Sequence, residues 1–407
     1  MRSQVFDIIE LEKKRQDKNI ELIASENFVS ENVMKAVGSV FTNKYCEGYA
    51  PLRMDGTGNR GRYYGGCENA DKLEEYCIQL WKRVFKTDYH VNVQPHSGTQ
   101  ANMEAYSAVL EPGDRILSMS LESGGHLSHG SPVSMSGKTY DIYQYNLNDN
   151  GYIDLEDFKK KIMDKQPDLI LAGASAYPRE IPFSKMRKII DDCRSELLLS
   201  WDIKYNPIFM VDMAHIAGLV AAGMHETPFG YADIVTTTTH KTLRGPRGGL
   251  IFCRPSLSKL IDSAVFPGSQ GGPLMHVIAG KAVCAEEALD NSYKEYIQEV
   301  VRSCSAMADE FIRRGFHVVT GGTDNHLLLL DFTNTHPNVT GQMVQDELDS
   351  MGITLNKNSV PGEKRSPRET SGVRIGTAPM VTKGWKSVDF VKIAGVICDV
   401  VNKLEEG

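Results

Sequence analysis

Residues 233–253 read D-I-V-T-T-T-T-H-K-T-L-R-G-P-R-G-G-L-I-F-C. Two strand-like runs, D-I-V-T-T-T at 233–238 and G-G-L-I-F-C at 248–253, flank a turn rich in glycine and basic residues. β-Branched threonines suit a pleated strand, and Lys241 stands just beyond the end of theirs. Upstream, I-F-M-V-D at 208–212 ends an apolar run on Asp212, with His215 three residues on. Farther back lie R-I-L-S-M-S near 115–120 and D-L-I-L-A-G-A-S near 168–175. Helical spacing and helix starts fill the segments between. This alternation predicts an α/β chain with a mainly parallel sheet covered by helices on both faces. Ligands of such sheets bind beyond the carboxyl ends of the strands, where Asp212 and Lys241 fall.

The 407 residues are too many for one small core, so two lobes are expected. Residues 1–20 read as a helical arm, 21–275 as a large α/β domain and 276–407 as a smaller α+β domain. The second domain opens on a helical stretch after Pro273, continues through short strands in H-V-V-T-G-G and H-L-L-L-L-D-F, and closes on an amphipathic helix. A net charge of −7 argues against broad nucleic-acid binding. No apolar run approaches the ~18 residues of a membrane span. Acidic residues punctuate the first fifteen positions, which lack an apolar signal core. The eight cysteines are scattered, with no C-x-x-C pair. Free thiols in a reducing compartment are expected, with cytoplasm as the default location and no metal site.

An amine, a carboxylate and an imidazole at strand ends are the parts needed to hold pyridoxal phosphate as an imine. Lys241 is the nucleophile if desolvation or a nearby cation, such as His240 or Arg244, lets it lose its proton; otherwise it is a surface lysine. Asp212 would pair with the pyridine nitrogen and keep the ring protonated, or else cap a helix. His215 reaches the cofactor or is a satisfied core histidine. In H-S-G-T-Q-A-N at 96–102, the N–H groups of Ser97, Gly98 and Thr99 would bind phosphate at a helix start; the same residues also make a plain capped turn. G-S-Q-G-G at 268–272 is a second glycine-rich candidate. His126 lies between glycines that admit a flat ring. Arg374, in S-G-V-R-I-G-T, holds a carboxylate through two parallel bonds or forms a surface salt bridge. Glu47 sits between Tyr45 and Tyr49 and before a glycine. It is a candidate proton shuttle or an exposed turn residue.

These motifs together resemble serine hydroxymethyltransferase. The resemblance rests on E-L-I-A-S-E-N, T-N-K-Y-C-E-G-Y, R-Y-Y-G-G-C-E, V-Q-P-H-S-G-T-Q-A-N, G-G-H-L-S-H-G-S-P-V, V-D-M-A-H-I-A-G-L-V-A-A-G, T-T-T-T-H-K-T-L-R-G-P-R-G-G, P-G-S-Q-G-G-P-L-M-H-V-I-A-G-K-A-V and N-K-N-S-V-P, in the family's order. It implies a fold-type I pyridoxal phosphate enzyme with a seven-stranded sheet. The implied reaction moves the hydroxymethyl carbon of serine to tetrahydrofolate, giving glycine and 5,10-methylene-tetrahydrofolate. The alternative is a threonine-type aldolase, or a transferase with a non-folate acceptor. By resemblance, Lys241 carries the cofactor, Asp212 binds its ring nitrogen and His126 stacks on it. Ser97, Gly98 and Thr99 hold the phosphate, helped by Gly272 from a neighbouring subunit, and Gly271 is a further cofactor-binding residue. Ser175, His215 and His240 line the cofactor, and Arg247 supports it. Arg374 takes the substrate carboxylate with Ser30 nearby, and Glu47 is the acid–base group. Tyr45 and Tyr64 come from the partner. Folate lies on Leu121, Gly125 and Leu127, with Asn358 and Ser366. Shared sites imply a homodimer or a tetramer.

The chain departs from that pattern in four places. The loop between Tyr49 and Arg62 is longer, and its basic residues are expected to border the acceptor site. Residues 195–206 include an extra stretch. Arg368 replaces a phenylalanine beside the folate. The N-terminal arm is short.

Overall fold

A computed structural model describes residues 3–50, 61–201 and 203–407. The long loop expected to border the acceptor site falls almost wholly outside these residues. The chain divides into two compact units, one of residues 29–297 and one of residues 3–28 with 298–407.

The larger unit is built on seven strands: β1 (His90–Asn92), β2 (Arg115–Met119), β3 (Asp141–Tyr145), β4 (Leu169–Ala172), β5 (Ile208–Asp212), β6 (Ile234–Thr238) and β7 (Gly249–Cys253). Their order across the sheet is β1-β7-β6-β5-β4-β2-β3. Neighbours from β6 to β3 pair in parallel, and β7 runs antiparallel to both β6 and β1. Five of the seven coincide with the runs read from the sequence. The other two are the edges: β1 has only three residues, and β3, D-I-Y-Q-Y, is mostly not buried. Neither shows the continuous apolar run of a strand covered on both faces.

The helix Gly98–Val109 crosses one face of this sheet. Its Ala101, Ala105 and Tyr106 are buried against Leu169, Leu171, Met210, Ile234 and Ile251. The alanines admit close approach, and each fully buried Leu or Ile contributes roughly 1.5–3 kcal/mol. That packing aims the helix start at the carboxyl end of β6. The helix Met275–Ala288 packs on the helices Glu31–Val37 and Glu68–Phe85. For that reason residues 276–297, expected in the small domain, stay with the larger unit. The extra stretch at 195–206 begins inside the helix Phe183–Trp201.

In the smaller unit a four-stranded antiparallel sheet runs in the order Asn356–Asn358, Gly372–Gly376, Leu327–Asp331, His317–Val318. Residues 21–28, expected in the large domain, belong here. Ile20–Glu21 pairs with Ile353–Thr354, and the Gly376 N–H donates to the Leu22 carbonyl at 2.8 Å. The arm folds as the helix Gln4–Lys18, which has no buried residue and exposes Val5, Phe6, Ile8, Ile9 and Leu11. Among the described residues, no helix is long and apolar enough to cross a membrane.

Candidate active site

Asp212 ends β5 in register with Thr236 of β6. Its Oδ2 accepts from Asn102 Nδ2 at 2.8 Å and pairs with His129 Nε2 at 2.9 Å, while its Oδ1 accepts the Ala214 N–H at 3.0 Å. Burial alone would raise its pKa. The His129 hydrogen bond and charge, with Asn102 and the Lys241 ammonium, overcome that and hold the carboxyl well below the usual range. Asp212 is therefore a largely enclosed carboxylate, its side chain 11% exposed, and not merely a helix cap. The network extends outward. Asn102 accepts from Thr236 at 2.6 Å and donates to Ser128 at 2.9 Å, and Ser128 meets His126 Nδ1 at 2.8 Å. The ring centroids of His126 and His129 lie 5.6 Å apart.

His129, Asn102 and Ser128 were not singled out in the sequence. Their signal was available: two histidines in H-L-S-H, and an asparagine one turn into the helix that follows S-G-T.

Ser97 caps the helix Gly98–Val109, its Oγ accepting the Gln100 N–H at 3.2 Å. Glycine is required next. A Cβ at Gly98 would stand 2.5 Å from Thr238 Cγ2, and one at Gly249 would strike the Ser97 carbonyl. The helix start is thus wedged against the end of β6 and the beginning of β7. Beneath it Lys281 is fully buried, donating to the carbonyls of Val93 at 2.7 Å, Pro95 at 2.9 Å and Gly249 at 2.8 Å. Burial pushes its ammonium down to about 8. Sequence reading had included Lys281 only as a letter inside a motif.

Lys241 is buried, in the turn that follows β6. Burial, then the cations Lys241, Arg247 and Lys281, push His240 down to about 3, so its imidazole is neutral at physiological pH. Arg244, expected to act on Lys241, instead lays its guanidinium over the Tyr296 ring at 4.0 Å. Arg247 is exposed and His215 is buried, its carbonyl accepting from Thr242 at 3.2 Å. Thr238 Oγ1, His240 Nδ1 and His96 Nε2 are buried polar atoms without a hydrogen-bond partner. They mark where a polar group would be received.

Gly125 lies against the Met119 and Ser120 carbonyls with no room for a side chain, and its own carbonyl accepts from Ser175 Oγ at 3.1 Å. On either side Leu121 and Leu127 are about half exposed, at 48% and 50%. A second cluster joins Glu47 to two tyrosines. Tyr64 donates to its Oε2 at 2.9 Å and Tyr45 to its Oε1 at 3.3 Å. Gly271 and Gly272 adjoin this trio, where an added Cβ would come within 3.3 Å of Glu47 and 3.5 Å of the Tyr45 ring. Gln270 ties the segment to the helix start, accepting the His96 N–H at 3.1 Å and donating to the Gln94 carbonyl at 3.1 Å. Ser30 caps the helix Glu31–Val37 and donates to Glu287 at 2.5 Å.

In the smaller unit Arg374 is buried on the strand Gly372–Gly376, its Nε donating to Asn356 at 3.2 Å. Burial pushes the guanidinium down to about 10. Asn358 pairs with Gly372 on the neighbouring strand. Ser366 and Arg368 are exposed in the loop that follows.

The helix start and the two strand ends converge on a largely enclosed carboxylate, a buried lysine and unpartnered polar atoms. A model of the serine hydroxymethyltransferase family matches residues 1–397, and the chain belongs to that family.

Proposed function

We propose that this chain reversibly transfers the hydroxymethyl carbon of serine to tetrahydrofolate, forming glycine and 5,10-methylene-tetrahydrofolate, with pyridoxal phosphate held on Lys241. The observation that carries this reading is the Asp212 carboxylate, largely enclosed yet kept charged by His129 and Asn102, on the strand beside the one that leads to Lys241. A carboxylate so held suits a protonated pyridine nitrogen. The unpartnered Thr238 Oγ1 and His240 Nδ1 and the steric wedge at Gly98 fit a phosphate at the helix start.

When bound, the cofactor supplies an electron sink for charge developing at the amino-acid Cα. The protein does the rest. Asp212 holds a proton at the ring nitrogen. Lys241 offers its amine, and His126, held by Ser128, covers the ring face. Ser97, Gly98 and Thr99 bind phosphate, with Gly272 contributed by a neighbouring subunit and Gly271 adjoining it. Ser175, His215, His240 and Arg247 line the pocket. Arg374 fixes the substrate carboxylate, and its dehydrated guanidinium makes that pairing stronger than it would be in water. Glu47, bonded to Tyr64 and Tyr45 of its own chain, moves the proton at the serine hydroxyl, the trio entering the neighbouring subunit's site together. Leu121, Gly125 and Leu127 offer an apolar face to the folate rings, with Asn358 and Ser366 as polar contacts.

The exposed Tyr45, Tyr64 and apolar arm residues support a homodimer with shared sites, and sedimentation separates it from a tetramer. Eight buried free thiols suit a reducing cytoplasm. Borohydride reduction of the holoenzyme is expected to fix a pyridoxyl group on the Lys241 peptide, and Lys241→Ala to lose both label and turnover. Labelling elsewhere removes the mechanism. The exposed Arg368 favours testing a second reading, a threonine-type aldolase or a non-folate acceptor. Glycine formation from serine that ignores added tetrahydrofolate would select it.

A further inference from the structure

We propose that Arg62 is a positioning residue for the Glu47 carboxylate, acting through the backbone on either side of it. The inference rests on the reading of Glu47 as the proton carrier. Arg62 is almost fully buried, its side chain 3% exposed. Its Nη1 donates to the carbonyl before Glu47, Cys46 O, at 3.1 Å, and to the carbonyl after it, Gly48 O, at 2.6 Å. The carbonyl of Glu47 itself accepts the Tyr63 N–H at 3.2 Å. All three peptide oxygens around Glu47 are therefore fixed by Arg62 or its neighbour.

The other side of the guanidinium is anchored. Nε donates to Asp71 Oδ1 at 2.7 Å and Nη2 to Glu74 Oε2 at 2.6 Å, both on the helix Glu68–Phe85. Burial would lower the Arg62 pKa, but Glu74 and Asp71 raise it above its ordinary value, so the charge persists at every working pH. Gln94 braces the same loop, donating to Gly48 O at 3.1 Å and to Glu74 Oε1 at 3.0 Å.

Two features make this more than a structural tie. Gly48 and Arg62 form a β-bridge, and Gly48 sits at φ +93, where a Cβ would come within 2.5 Å of the Gly61 carbonyl. The two short segments are thus clamped face to face. From them project the groups that meet: Tyr45 and Glu47 from one, Tyr64 from the other. Arg62 sets the distance between an acid and its hydrogen-bond partner. The planar fork is needed, because the three donors of a lysine radiate from one point and cannot span two carbonyls and two carboxylates.

The test uses purified holoenzyme of Arg62→Lys, Arg62→Ala, Glu74→Gln and Glu47→Gln. Hydroxymethyl transfer is followed across pH, alongside pyridoxyl content and melting temperature. Displacing an acid–base group by about 1 Å costs about 100-fold in rate, so Arg62→Lys and Arg62→Ala are expected to lose kcat on that scale. Serine KM and cofactor content should stay near wild type. The limb of the kcat–pH profile that Glu47→Gln abolishes is expected to move in Arg62→Lys and Glu74→Gln, and millimolar guanidinium to restore rate to Arg62→Ala. Wild-type kcat and pH profile in Arg62→Lys overturn the proposal. Lost rate with an unmoved limb and no guanidinium rescue overturns it too, since that is simple destabilisation. Should both Arg62 variants fail to fold, an unmoved limb in Glu74→Gln overturns it. Glu47→Gln at the wild-type rate instead sinks the reading of Glu47, a separable result.

Discussion

Replacing Gly98 with alanine adds one methyl group at the most crowded point of the candidate phosphate turn. The new Cβ would lie 2.5 Å from Thr238 Cγ2, where carbon atoms pack best at about 3.5–4.0 Å. Something must move by about 1 Å. Thr238 has little freedom to yield. It is buried on β6, paired with Gly249 of β7, and Gly249 in turn abuts the Ser97 carbonyl. The helix start gives way instead, carrying the Ser97, Gly98 and Thr99 N–H groups off the phosphate. Overpacking of this kind costs about 1–3 kcal/mol, equivalent to roughly 5- to 150-fold in cofactor affinity. Helix propensity has the opposite sign: Gly→Ala within a helix is favourable by about 0.5–1 kcal/mol. The steric cost is expected to win. Pyridoxal phosphate titration of the apoprotein, followed by fluorescence quenching, measures the loss. The control is Gly98→Ala with Thr238→Ser, which removes Cγ2 and keeps the hydroxyl, and most of the affinity should return. Wild-type affinity in the single variant, or no recovery in the double, would refute the reasoning.

His129→Phe removes the hydrogen bond that chiefly lowers the Asp212 pKa. A carboxyl held low keeps its charge until pH falls through its folded-state value, and raising that value moves the loss to higher pH. The acid limb of kcat for this variant should therefore shift upward, as read from a pH–rate profile. Lys281 in the folded chain is pushed down to about 8 from its ordinary 10.5, so between those values the unfolded chain holds a proton that the native chain has lost. Stability then rises with pH, and the wild type should gain about 3 kcal/mol on Lys281→Met between pH 8 and pH 10.5 in urea unfolding; a parallel pH dependence in the two proteins contradicts this. Arg374→Lys gives up the two-pronged grip on the substrate carboxylate, worth about 1.5–3 kcal/mol, so serine KM should rise about tenfold or more while pyridoxyl content stays constant.

The central strands were legible because burial on both faces favours runs of apolar and β-branched residues, as in L-I-L-A at 169–172, I-F-M-V at 208–211 and I-V-T-T-T at 234–238. V-D at 211–212 closes one such run and T-H-K at 239–241 follows another, which is where the candidate residues Asp212 and Lys241 fall. Edge strands carry no such mark, so β1 and β3 were missed. The boundary between units was obscured for a different reason. The chain leaves the smaller unit at Phe28 and returns at Gln298, and the pairing of Ile20–Glu21 with Ile353–Thr354 is written nowhere in local pattern.

The same divide runs through the site. Lys241, Asp212 and the S-G-T turn stand out as candidates because each occupies a strand or helix end, though each taken alone also has a plain structural reading. The residues that tune them are not, because they act across sequence. His129 reaches Asp212 over 83 positions, Asn102 over 110, and Lys281 reaches the Val93 carbonyl over 188. Each is an ordinary polar letter in an ordinary helix or turn until folding brings its partner. Yet these contacts decide whether Asp212 is charged and whether the candidate phosphate turn keeps its shape. Glu47 follows the rule too: the motif N-K-Y-C-E-G-Y names a candidate acid, but the backbone on either side of it is held by Arg62, and Arg62 in turn by Glu74 on the helix Glu68–Phe85. In this chain the reacting groups are a local property of sequence, and their reactivity is a property of the fold.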